Sequence, residues 1–206
     1  MDVSRYGSTD AGVVLIQMVD DHDLAGIENE VADIKRLVNV EFSLIAIKVD
    51  DWNKDLSPWK APAVFGIEDF GGGAAATLEE VLKYTQDAGK TYFIGGYSLA
   101  ALFAIWAAYQ TDVFRGVAAA SPSIWFPDFV DYMGDNSIHA RKVYLSLGDR
   151  EEKTRNHVMA SVGDCIRDAY ELLQANGTTC TLAWNKGNHF KDANLRTAAA
   201  FAWVIR

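Results

Sequence analysis

The chain has 206 residues, half of them hydrophobic and 23% charged, with a net charge of −9, a balance that suits a globular protein with enough apolar side chains for an α/β core. No basic run exists to neutralise phosphates, which argues against a nucleic-acid partner, and no apolar run is long enough to span a bilayer. Met1 to Asp10 is polar and lacks the apolar segment of a signal peptide, and the two cysteines, Cys165 and Cys180, read as small buried hydrophobes, so the expected home is a reducing cytoplasm.

Apolar runs rich in β-branched residues occur at about Gly12 to Val19, Phe42 to Val49, Tyr92 to Tyr97, Arg115 to Ala120, Lys142 to Leu147 and Thr179 to Trp184. They are continuous rather than alternating, as strands buried on both faces are. Helical patterns lie between them. From Asp23 to Val38, residues Leu24, Ile27, Val31, Ile34 and Val38 recur at spacings of three and four. Thr77-Leu78-Glu79-Glu80 reads as a capping box opening the helix before the third run. Gly71-Gly72-Gly73 has no Gly-Lys-Ser/Thr after it and so reads as a flexible surface loop rather than a phosphate loop. Val158, Val162, Cys165, Ile166, Ala169, Leu172 and Leu173 form a further helical stripe that stops at Asn176-Gly177. Strands alternating with helices predict a parallel sheet covered on both faces, and no linker or repeat divides residues 1–206, so one domain is expected.

The most informative stretch is Tyr92-Phe93-Ile94-Gly95-Gly96-Tyr97-Ser98-Leu99-Ala100-Ala101. An apolar strand runs into a serine with Gly96 two residues before and Ala100 two residues after, and an apolar helix follows: the layout of a nucleophile elbow. A serine hydroxyl is a weak nucleophile and must stand exposed on a sharp turn where a histidine can take its proton. Partners in such sites follow in chain order, acid then histidine, on loops after later strands. Gly148-Asp149-Arg150-Glu151-Glu152 follows one such strand and Asn185-Lys186-Gly187-Asn188-His189-Phe190 another. Among the four histidines only His189 follows a strand end at the required place; His139 and His157 read as surface residues, and His22 lies near the exit of the first strand.

With Phe114, Ala120-Ser121-Pro122-Ser123-Ile124-Trp125, Leu147-Gly148 and Gly187-Asn188-His189-Phe190, the chain from Tyr92 onward resembles the esterase branch of the α/β-hydrolases that includes enterochelin esterases, feruloyl esterases and S-formylglutathione hydrolases. The earlier part is similar chiefly through Asp50 to Trp59, which looks like the active-site loop after the second family strand. The resemblance implies an α/β-hydrolase fold. Only eleven residues precede the first predicted strand, so a reduced version is expected, with six mainly parallel strands in the order 2-1-3-4-5-6 and without the antiparallel hairpin that usually opens the sheet.

By that resemblance Ser98 would attack an ester carbonyl to form an acyl-enzyme, and His189 would act as base and then acid. Relatives place the acid three residues after the loop glycine, which selects Glu151; Asp149 is the second choice, Glu152 shares the loop, and a Ser-His dyad is known among relatives. The oxyanion donors expected are the N–H of Leu99 and one near Asp20 in Val19-Asp20-Asp21. Trp59, Tyr97 and Trp125 are candidates to line a pocket for a small or aryl ester. Asp20, Asp21, His22 and Asp23 match no ligand spacing, so no metal and no cofactor are expected. The competing reading is a non-catalytic α/β-hydrolase scaffold that binds a ligand or partner, and the oligomeric state is open.

Overall fold

A computed structural model describes all 206 residues. β1 (Asp2–Gly7) and β2 (Val13–Val19) precede α1 (Asp21–Leu37) and β3 (Phe42–Lys48); a short α2 (Trp52–Asp55) and the two-residue strands β4 (Lys60–Ala61) and β5 (Phe70–Gly71) lead to α3 (Ala74–Leu82). β6 (Thr91–Tyr97) then passes directly into α4 (Leu99–Gln110), followed by β7 (Phe114–Ala120), α5 (Phe129–Asp135) and β8 (Lys142–Gly148). The chain finishes with α6 (His157–Ala160), α7 (Val162–Ala175), β9 (Thr179–Asn185) and α8 (Ala193–Val204).

The main sheet has seven strands in the order β1-β3-β2-β6-β7-β8-β9. Its six parallel members stand in the predicted order 2-1-3-4-5-6. The expectation of six strands in all is corrected by β1, which pairs antiparallel with β3 from Asp2 opposite Lys48 to Gly7 opposite Ser43. Asp-Val-Ser-Arg-Tyr-Gly is half-exposed throughout, so it never forms the continuous apolar run that marks the inner strands. Val3 and Tyr6 pack toward opposite faces of the sheet, each joining a different core.

One core is built on α1 and α8, where Ile27, Ile34 and Phe201 meet Leu15, Leu44 and Ala118. The other holds α3, α4, α5 and α7 against the opposite face. α4 is apolar all round and buried from Leu99 to Tyr109, as a helix enclosed on every side must be. Three local expectations change. Thr77 lies inside α3, which starts at Ala74, and its hydroxyl donates to the Asp55 carbonyl at 2.7 Å instead of capping. The three glycines are tied down, Gly71 pairing with Lys60 between β4 and β5, Gly72 N–H donating to Ser57 Oγ at 2.8 Å and Gly73 N–H to the Lys54 carbonyl at 2.7 Å. The stripe from Val158 to Leu173 is divided into α6 and α7 at Ser161.

Parallel pairing sets the carboxyl ends of β6, β7, β8 and β9 side by side, with Tyr97 opposite Ala120 and Gly148 opposite Asn185. The residues that follow those four strand ends are the ones that meet at the site.

Candidate active site

Ser98 occupies a single-residue turn between β6 and α4, with φ 56° and ψ −121°. A non-glycine residue held there carries backbone strain, which persists only where the surroundings enforce it. They do so by contact. A side chain on Gly96 would meet the Ala100 Cβ at 2.8 Å, so only a small pair lets strand and helix approach this closely. Ser98 N–H donates to the Ala120 carbonyl at 3.2 Å, and its carbonyl accepts from Ser123 N–H at 3.1 Å.

Ser98 Oγ lies 3.0 Å from His189 Nε2, and His189 Nδ1 lies 2.7 Å from Glu151 Oε2. The three groups form an unbroken hydrogen-bonded relay drawn from three strand ends. Ser123 Oγ lies 3.2 Å from Ser98 Oγ on the other side. Glu151 stands at the start of a 3₁₀ turn, Glu151–Lys153, and its side chain is almost wholly buried. Its Oε1 accepts from Gly148 N–H at 2.7 Å, from the Ser121 hydroxyl at 2.8 Å and from Arg196 Nη1 at 2.8 Å. Burial, the largest influence, pushes the pKa of this carboxyl up, but the bonds and charge from His189, Gly148 and Ser121 more than offset it and hold it below the usual carboxylate range. Gly148 is required for this: a side chain there would overlap the Gly187 carbonyl and Glu151 Oε1.

Asp149 does different work from Glu151. Its Oδ1 accepts from Gly187 N–H at 2.8 Å, and that bond is the main cause of a pKa below the ordinary aspartate value. It therefore tethers the histidine loop and does not reach the imidazole in this arrangement. Glu152 points elsewhere, pairing with Arg167 at 3.1 Å. Leu99 is the first residue of α4, where backbone N–H groups have no intrahelical acceptor. Asp20 departs from expectation. β2 enters α1 with no intervening loop, and Asp20 forms a capping box: its Oδ1 accepts from Asp23 N–H at 2.7 Å while its own N–H donates to Asp23 Oδ2 at 3.3 Å. The Asp20 amide is thus committed to the helix start and is not free as an oxyanion donor.

Beside the relay a cavity of about 500 Å³ opens between apolar walls of Trp52, Phe65, Trp125, Met159 and Phe190, with Arg150 and Lys153 at its edge. Its size falls in the range of small-molecule sites. Trp125 lines it; Trp59 and Tyr97 do not, which corrects their expected role. Trp59 packs behind the wall against Phe126, Phe129 and Tyr132, its indole N–H donating to the Pro127 carbonyl at 3.1 Å. Tyr97 lies beneath the histidine, its hydroxyl donating to the His189 carbonyl at 2.6 Å, and burial pushes its pKa up to about 12. A wider groove of about 710 Å³ between α5 and α7 carries Asp131, Asp135, Asp168 and Glu171 and includes none of the relay residues. No group of three or more His, Cys, Asp or Glu side chains is arranged to hold a metal ion.

Arg196 was not singled out by the sequence, and Ser121 stood only within the Ala120-to-Trp125 motif with no role given to it. The signal for Arg196 was present: it is the one charged residue in α8, a helix otherwise rich in alanine and aromatic side chains, and it is 3% exposed.

No protein-family model matches the sequence, and no curated protein matches it either. Solved structures do match. The siderophore hydrolase EstA from Aspergillus nidulans is 20% identical and superposes with a TM-score of 0.69 over 96% of this chain and 84% of its own. An IroE-like serine hydrolase from Shewanella oneidensis is 12% identical with a TM-score of 0.75 over 98% of this chain and 74% of its own. The enterobactin esterase FES from Shigella flexneri is 13% identical with a TM-score of 0.64 over 98% of this chain and 54% of its own. At these identities the likeness establishes the α/β-hydrolase fold.

Proposed function

We propose that the protein is a serine esterase that cleaves a small or aryl carboxylic ester through an acyl-enzyme. The observation that carries the reading is the continuous relay Ser98–His189–Glu151, with the nucleophile on a strained strand-to-helix turn at the mouth of an apolar cavity. Its structural neighbours, which include siderophore hydrolases and an enterobactin esterase, support the same class of reaction.

In this mechanism His189 Nε2 takes the Ser98 proton as Oγ attacks the ester carbonyl, and the imidazolium returns it to the departing alcohol. The same histidine then activates water to release the acid. Glu151 fixes the imidazole with Nδ1–H toward its Oε2 and stabilises the imidazolium that forms. Leu99 N–H supplies a donor to the oxyanion. Aromatic walls from Phe65 and Trp125 favour an apolar or aryl group beside the scissile bond. A pure binding scaffold would leave the relay without a task.

The test is labelling with a fluorophosphonate, followed by a panel of aryl, alkyl, thio- and carbohydrate esters. Stoichiometric modification of Ser98 and turnover of at least one ester are expected. An unmodified Ser98 in folded protein, with no turnover across the panel, would leave the binding scaffold as the better reading.

A further inference from the structure

Building on the esterase reading, we propose that Arg196 is a positioning residue of the site, holding both Glu151 and the histidine loop from the C-terminal helix. Its guanidinium meets four different parts of the centre. The two N–H groups of Nη1 are shared among Glu151 Oε1 at 2.8 Å, Ser121 Oγ at 3.1 Å and Tyr97 Oη at 3.1 Å, and Nη2 donates to the Asn188 carbonyl at 3.1 Å. Glu151 Oε1 is thereby occupied, and Oε2 is left for His189. The Asn188 carbonyl precedes the histidine, and the Tyr97 hydroxyl bonded to Arg196 itself donates to the His189 carbonyl. One planar cation therefore fixes the acid and the backbone on both sides of the base, which a rigid fork can do and a single ammonium cannot.

A purely structural part is a poor account of this residue. The pair it forms with Glu151 is nearly sealed from solvent, both side chains being under 5% exposed, and Arg196 Nε has no hydrogen-bond partner. Replacing such an incompletely satisfied buried pair by apolar side chains is often neutral or stabilising. What an apolar pair could not do is keep a charged carboxylate aimed at an imidazole. The contacts of Arg196 with the Asn188 carbonyl and Tyr97 serve the site by keeping His189 in register with Glu151, so the loss of Arg196 should matter only while Glu151 is present.

The experiment is a double-mutant cycle on Arg196→Gln and Glu151→Gln, read by the second-order rate of fluorophosphonate labelling and by kcat and KM on the best ester of the panel, each corrected for folded protein. Arg196→Gln is expected to lower kcat by about a hundredfold or more with KM within about threefold, and the double variant should fall within about threefold of Glu151→Gln alone. Arg196→Lys, which keeps the charge but not the fork, should recover only part of this and remain about tenfold or more below wild type. Losses that multiply in the double variant, or wild-type kcat in Arg196→Gln, would overturn the proposal. If Arg196→Gln does not fold, Arg196→Lys decides: kcat reduced about tenfold or more at unchanged KM supports the role, and wild-type kcat removes it. A wild-type protein that neither labels nor turns over any ester defeats the esterase reading itself, a result distinct from every outcome of the cycle.

Discussion

Replacing Glu30 by glutamine should remove a pH dependence of stability that the fold builds into its first helix. Glu30 is 2% exposed, faces Gln17 of β2, and has one carboxylate oxygen without a partner. Burial, followed in smaller measure by the nearby charge of Asp23, raises its pKa from 4.5 to about 8, against a lowering hydrogen bond with Gln17. The native state therefore retains a proton between about pH 4.5 and 8 that the unfolded chain gives up. Stability from this group is fully present below the unfolded value and is lost as pH rises through the folded one. Linkage over that interval corresponds to a few kcal/mol, to order of magnitude. Glutamine has nearly the same shape and stays neutral, so it should lose little at pH 5 and gain at pH 9. Denaturant unfolding of both proteins at the two pH values reads the difference directly. The advantage of Glu30→Gln over wild type should widen from pH 5 to pH 9 by a few kcal/mol, or roughly 5–15 °C in Tm for a chain of this size. A gap that is the same at both pH values, or that narrows toward pH 9, would refute the assignment of a neutral buried carboxyl.

Ser98→Ala should lower turnover by on the order of a millionfold and abolish fluorophosphonate labelling, with Tm unchanged because one partly exposed hydroxyl is removed; turnover near wild type would move the nucleophile elsewhere. Glu151→Gln should cost about a thousandfold to ten-thousandfold in kcat, since the amide can favour the wrong imidazole tautomer, while Asp149→Asn should cost less than about tenfold through its tether to Gly187 alone. Steady-state kinetics on both variants separates a triad from a Ser-His dyad, which predicts small losses at both positions. Gly96→Val should prevent accumulation of folded protein, because its Cβ would press on Ala100 at 2.8 Å, whereas Gly12→Ala, with nothing within 4 Å, should fold and melt like wild type; circular dichroism on the two tests the packing of the elbow.

The five inner strands β2, β3, β6, β7 and β8 were legible because each is largely buried on both faces and so reads as an unbroken apolar run. β9, half-buried at the far edge, was found from Thr179 to Trp184 and the histidine motif after it, and the strand order followed from the likeness of the later motifs. β1 escaped because Asp-Val-Ser-Arg-Tyr-Gly offers only Val3 and Tyr6 as apolar side chains, too few to form an unbroken run. The same contrast divides the candidate site. Ser98, Glu151 and His189 sit just past apolar strands, where sequence order alone places their loops at one end of the sheet, and the structure sets them within 3.0 Å of one another in turn. Side-chain direction is another matter. Trp59 and Tyr97 have the composition of pocket walls, yet one packs on Phe129 and the other bonds the His189 carbonyl, because the fold turns their rings inward. Asp20 and Asp23 together spell a helix cap as readily as an oxyanion loop, and the absence of any spacer between β2 and α1 decides for the cap. Arg196 was hidden for a different reason: its partners Tyr97, Ser121, Glu151 and Asn188 are scattered over four segments, and only the close approach of α8 to β6, β7 and β8 brings a lone arginine of an apolar helix to all of them. A charge on the buried stripe of such a helix is costly unless a counter-charge waits beneath it. In this fold that counter-charge is the carboxylate bonded to His189 Nδ1, so the burial of the arginine and the placement of the imidazole are tied to one pair of side chains.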